Sequence, residues 1–352
     1  MSHRSTQFSE TDIQAFLKVR EVAIDQVCKR FYEIYPDLLP TFGARGVEAT
    51  REDIGYTLDF LRPALEFGYI KPFVDYLFWL TEVLTTRGVS AQHVLTMLDW
   101  LAECFEAEMG NEQGATIATL LRSAKADVIS KQRVASGIDE HMPEAWPEYV
   151  DLEKALLKGD LGSAKEIFDK RTAEGNSLLE IELHLVQPAL YQVGRDWQQN
   201  KVTVAQEHLA TSAAITLMAQ EFTRAKRGVP NGKKVICACV KGNNHAVGIR
   251  IVADAFELNG WEVLFLGKDV SSQDLIERTR AFEPHLICLS VSIAEHLQVA
   301  KSTIKSLHMT FAEKVPAIML GGLAVNAHTP LAQVVGADLF APDAKKALEE
   351  SE

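Results

Sequence analysis

At Lys233 the hydrophobic pattern of the chain changes period, and this change restricts the fold more than any other feature. Downstream, the apolar runs "KVICACV", "EVLFLG", "LICLSVS" and "AIMLGG" alternate with "HAVGIRIVADAFELNG", "SSQDLIERTRAFEP" and "EHLQVAKSTIKSLHMTFAE", which carry helical spacing. Short, continuous apolar runs of this kind belong to strands buried on both faces, as in a parallel sheet. A weaker run, "ADLFAPD", precedes a short terminal helix. The pattern predicts an open, doubly wound α/β domain of Rossmann-like (flavodoxin-like) type, whose ligands bind beyond the carboxyl ends of the strands. His245 falls at that edge, in the loop "KGNNHAVG" after the first run.

Upstream of Lys233 the chain reads as helix throughout. From Ser9 to about residue 135, apolar residues recur at helical spacing, with Ser9 or Thr11 as a cap and Pro36 near the first stop. Gly68, Gly88 and Gly110 stand where helix C-caps are expected. The aromatics Phe60, Tyr76, Phe78, Trp79, Trp100 and Phe105 read as the core of an up-and-down bundle, and a planar ligand among them is the other reading. Pro143 and Pro147 mark a boundary, and a second helical unit follows up to "RGVPNGKK". The predicted organisation is therefore an N-terminal helical bundle (1–140), a helical cap (148–228) and the α/β domain (232–352).

Composition excludes several classes. A net charge of -12 argues against general nucleic-acid affinity, and the basic cluster at 224–234 reads as a solvated linker. No apolar run approaches the roughly 20 residues that span a bilayer, and the polar start "MSHRSTQFSETDIQAF" lacks the core of a secretory signal. The five cysteines are an odd number, and Cys237 and Cys239 alternate within a strand-like run. They read as buried free thiols of a reducing cytoplasm, not as disulfides or a zinc site.

The loop carrying His245 lacks both G-x-G-x-x-G and a P-loop lysine pattern, so a nucleotide is a poor match. Zinc needs three or four protein ligands, and no second donor sits at ligand spacing. A metal that brings its own equatorial ligands needs one axial donor, which fits haem or a corrinoid.

The run Asn243-x-His245-x-x-Gly248 resembles the D-x-H-x-x-G motif of cobalamin-binding domains, with asparagine in place of aspartate. Ser290-Val291-Ser292 stands where that family has S-x-L or S-x-S, Gly321-Gly322 matches its G-G element, and "GADLFAPDAKKAL" resembles its last strand and helix. The resemblance implies that His245 coordinates cobalt from below. The displaced base of the cofactor would enter a slot lined by Ser290, Ser292, Gly321 and Gly322. An aspartate would accept the other imidazole N–H with charge; Asn243 accepts it without, which predicts a more labile lower ligand.

Within the cap, "VGRDWQQNKVTVAQEHLAT" resembles the W-x9-E-H pattern of the adenosylcobalamin-binding, light-sensing caps typified by CarH, with Trp197, Glu207 and His208 in the matching places. The resemblance implies that Trp197 covers the upper axial group and that Glu207 and His208 bond the adenosyl moiety. Two departures bear on mechanism. Gln198 stands where the transcriptional photoreceptors have a cobalt-capturing histidine, and a helical bundle replaces their DNA-binding domain. The bundle itself loosely resembles helical domains of bacterial sensors, including photocobilins, which also bind a bilin such as biliverdin. The expectation is a cytoplasmic, non-enzymatic cobalamin sensor of light. Its output runs through a protein partner or homo-oligomer, with neither DNA nor membrane contact. The alternative is a corrinoid carrier for methyl transfer.

Overall fold

Ser9 accepts the backbone N–H of Asp12, and the Asp12 carboxylate accepts that of Ser9; this reciprocal cap starts α1 (Glu10–Ile34). The computed structural model describes residues 7–130 and 143–352. The chain divides into two compact units, Met1–Ser136 and Gly137–Glu352.

In the first unit α1 is followed by α2 (Leu38–Phe67), α3 (Lys71–Thr86), α4 (Ala91–Met109) and α5 (Glu112–Ile129). Gly68 and Gly110 end their helices in the left-handed region, at φ 68° and 58°. Gly88, left-handed at φ 83°, stands just past the Arg87 cap of α3, where its N–H donates to the Thr85 carbonyl and that of Val89 to the Leu84 carbonyl, closing that helix too. The second helix starts earlier than its spacing suggests, because it is continued across a break at Gly43 (φ 63°). Phe105, Trp100 and Tyr76 are buried, and Phe60 and Phe78 pack at the edge of the same core. Phe60 stacks on Tyr76 with ring centroids 3.9 Å apart. Trp79, read from sequence as core, is 36% exposed and tilts against Tyr76 at 6.0 Å. The buried positions Phe73, Leu77 and Leu80 of α3 lie on another face of the helix.

The second unit begins with α6 (Tyr149–Lys158) and α7 (Leu161–Ala173). A short α8 (Leu178–Ile181) runs through a π turn, Glu182–Val186, into α9 (Gln187–Gln198), and α10 (Val204–Phe222) follows. The π turn abuts Pro188, which has no N–H to continue a regular ladder. Then come β1 (Lys234–Val240), α11 (Val247–Leu258), β2 (Glu262–Val270), α12 (Ser272–Phe282), β3 (Leu286–Ser290), α13 (Leu297–Phe311) and β4 (Ala317–Gly321). The chain ends with α14 (Leu323–Asn326), α15 (Pro330–Val335), β5 (Leu339–Phe340) and α16 (Ala344–Glu350).

The sheet has the order β2-β1-β3-β4-β5, and every pairing is parallel. Its topological switch point lies between β1 and β3, where connections leave in opposite directions. Leu183, Leu185 and Val186 of the π turn share one core with Ile251 and Ala255 of α11 and with Ala344. The cap segment is therefore packed into the α/β segment. All five cysteines are buried and unpaired, and among the described residues no helix is long and apolar enough to cross a membrane.

Candidate functional site

The loop after β1 is held from three directions. Asn243 has no exposed surface. Its Nδ2 donates to the Ser290 carbonyl (2.9 Å) and to Ser292 Oγ (3.4 Å), at the end of β3. Its Oδ1 accepts the backbone N–H of His245 (3.1 Å), so the amide oxygen is turned to the loop backbone. On the other side, Asp269 Oδ1 accepts the Gly242 N–H (2.8 Å), and the Asp269 N–H donates to the Asn243 carbonyl (3.1 Å). Asp269 reaches this place because β2 slips register against β1 twice and the residue itself adopts φ 54°. The third contact is His296, in a short helical turn after β3. Its Nε2 lies 2.8 Å from where a Cβ on Gly242 (φ 86°) would stand, so only glycine fits there.

The result is an exposed His245 ring on a tied-down loop at the switch point. Crowding by surrounding protein pushes its imidazole below the ordinary value; Glu207 opposes that and His296 adds to it. A lowered value keeps the ring neutral near pH 7, the form with a lone pair to give a metal.

Glu207 arrives from the cap. Thr203 opens α10 with a reciprocal cap to Gln206, placing Glu207 in the first turn. Its Oε1 accepts from Thr211 Oγ1 (2.8 Å), and its Oε2 lies 3.5 Å from His208 Nε2. The structure thus brings Glu207 into electrostatic range of His245. The His208 side chain is 73% exposed, and Trp197 is half-buried at the C-terminal end of α9.

The slot residues lie at the same edge. Ser290 is buried and Ser292 half-buried. A Cβ on Gly321 would stand 2.6 Å from the Ala341 carbonyl oxygen, and one on Gly322 (φ 103°) 2.5 Å from that of Val291. These glycines let the loops after β3, β4 and β5 close on one another. Gly248 differs: a Cβ there would meet nothing within 4 Å, leaving open space beside His245. An accessible imidazole at the end of β1, a Cβ-free opening and no cluster of three ligating side chains among the described residues fit a group that carries its own equatorial ligands.

Three residues escaped the sequence reading. Asp269 and His296 are placed by contacts across strands. Glu182, in the π turn, has no exposed surface, and neither of its carboxylate oxygens has a hydrogen-bond partner. Burial and the nearby Asp254 carboxyl push it well above the ordinary range, against Arg250. Asp254 is itself buried and paired with Arg250 at 2.6 Å.

A helical segment packed into a parallel sheet, with an exposed imidazole at the switch point, defines a ligand-binding class of doubly wound α/β protein. The chain is a B12-binding domain protein: residues 150–220 and residues 233–351 each match a family described as B12 binding domain. It is 23% identical over 257 residues to the HTH-type transcriptional repressor CarH of Myxococcus xanthus, covering 73% of this chain and 77% of that protein. Trimethylamine corrinoid protein 2 of Methanosarcina mazei is 24% identical over 201 residues, 56% of this chain and 90% of that protein. Among solved structures, the monomethylamine corrinoid protein of Methanosarcina barkeri aligns with a TM-score of 0.49 and 20% identity, over 57% of this chain and 95% of that one.

Proposed function

We propose that this protein is a cytoplasmic, non-enzymatic, cobalamin-dependent light sensor that uses adenosylcobalamin. The observation that carries the reading is the convergence of Glu207 from the cap and His245 from the β1 loop. His245 donates a neutral imidazole as the lower cobalt ligand. Ser290, Ser292, Gly321 and Gly322 receive the displaced base, and Gly248 keeps the approach open. Glu207 and His208 accept and donate hydrogen bonds to the adenosyl group, and Trp197 shields it from water. Adenosylcobalamin, when bound, supplies a Co–C bond that light breaks. Gln198 offers no imidazole to the cobalt, so the signal is release of the upper group and loosening of the cap. With a net charge of -12, output runs through a protein partner or self-association, not DNA. The stacked Phe60–Tyr76 pair makes the bundle a candidate site for biliverdin as a second chromophore.

A second reading, a corrinoid carrier for methyl transfer, draws support from relatives named as trimethylamine and dimethylamine corrinoid proteins. Reconstitution in the dark with adenosyl- or methylcobalamin, then illumination with absorbance and size followed, separates the two. A light-driven change of size with the adenosyl form supports the sensor. Uptake of methylcobalamin alone, without light response, supports the carrier, and no uptake of either sinks both. Biliverdin in the same assay tests the bundle, and His245→Ala tests the lower ligand, whose loss abolishes the His-on spectrum.

A further inference from the structure

Asn326, the last residue of α14, is 7% exposed. It sits where the loops after β4 and β5 meet: its N–H donates to the Gly322 carbonyl (2.9 Å) and its Nδ2 to the Pro342 carbonyl (2.7 Å). The Pro342 carbonyl can only accept, so this bond fixes which way the amide faces. The Oδ1 atom is left buried with no hydrogen-bond partner. A buried acceptor without a donor is costly to a fold, and such an atom at the ligand-binding edge of a parallel sheet points to a donor supplied by the ligand. The same stretch of chain ties this residue to the slot. Gly322 is pressed against the Val291 backbone, and the Ala324 N–H donates to the Val291 carbonyl (3.2 Å), between Ser290 and Ser292.

We infer that Asn326 Oδ1 accepts a hydrogen bond from a hydroxyl of the corrinoid's nucleotide tail, making it a residue that selects for a complete tail. The inference rests on the cobalamin reading above. It is tested with the full chain by comparing dissociation constants for cobalamin and for cobinamide, which lacks the nucleotide. In Asn326→Ala, cobalamin binding weakens about tenfold, the equivalent of one good hydrogen bond, while cobinamide binding stays within about twofold. Equal weakening of both, or of neither, overturns the inference while leaving the cofactor reading standing. Wild-type protein that binds neither corrinoid overturns both. If Asn326→Ala does not fold by circular dichroism, the wild-type protein must bind cobalamin at least about tenfold more tightly than cobinamide, and equal affinity for the two overturns the inference.

Discussion

Asn243→Asp restores the residue type of the family motif, yet the contacts of Asn243 predict that it destabilises this protein. The amide is fully buried, and its Nδ2 faces the Ser290 carbonyl at 2.9 Å. The substitution replaces that donor with an oxygen. The lost hydrogen bond is worth about 1 kcal/mol, and a buried carbonyl left facing an unpaired charge adds about 1–3 kcal/mol, giving about 2–4 kcal/mol at pH 7. The sign of the pH dependence follows. Burial and the facing carbonyl raise the introduced carboxyl above its unfolded value of about 3.9. A group raised in the folded state stabilises below its unfolded value and loses that contribution as pH rises through the folded one. Near pH 4 the protonated acid still donates to Ser290, so the deficit is small there and opens toward pH 7. Urea unfolding followed by tryptophan fluorescence reads this, since Trp261 lies in the core under β1 and β3. Equal stability of variant and wild type at pH 7, or a deficit independent of pH, would refute the argument. Either result would mean that the introduced carboxylate turns away from Ser290, toward the imidazole, as in the family pattern.

Glu182→Gln works in the opposite direction. The carboxyl is held well above its ordinary range by burial and Asp254, against Arg250, while Glu257 acts on Asp254 from the same helix. Its contribution in the wild type is therefore complete below the unfolded value and is lost as pH rises, so the uncharged variant gains about 1–3 kcal/mol at pH 8 and nothing near pH 4.5. Thermal scans at the two pH values showing no difference would dismiss it. Gly322→Ala, at φ 103° with a Cβ 2.5 Å from the Val291 oxygen, costs about 2–4 kcal/mol, read as a fall in Tm. A wild-type Tm would mean that the loops after β3 and β4 separate freely. Gly248→Ala is the contrasting case: it meets nothing within 4 Å, so the fold is unchanged or up to about 1 kcal/mol more stable while cobalamin titration weakens. Unchanged binding there removes Gly248 from the site.

The parallel sheet was legible because its strands are buried on both faces, so apolar runs such as that from Val235 to Val240 carry the signal unmixed. The place of His245 follows from the sheet alone. Helix starts and stops at Ser9, Gly68 and Gly110 were legible because capping is decided within a few residues. The end of β2 was not. Of its last three residues only Val270 pairs with β1, after two slips of register, and the stretch between them leaves Asp269 to hold Gly242 and Asn243. Asn243 shows the limit most sharply. Sequence pattern aimed its amide at the imidazole, whereas the fold uses the nitrogen on a carbonyl 47 residues away and the oxygen on the loop's own backbone. An asparagine can satisfy both of those needs at once, and an ionised aspartate can satisfy only the second. The departure from the family motif at this position is thus tied to the anchoring of the loop as well as to the electronics of the histidine. A partner left open by another strand leaves no periodicity behind, which is why Asn326 and Glu182 also passed unnoticed in the sequence.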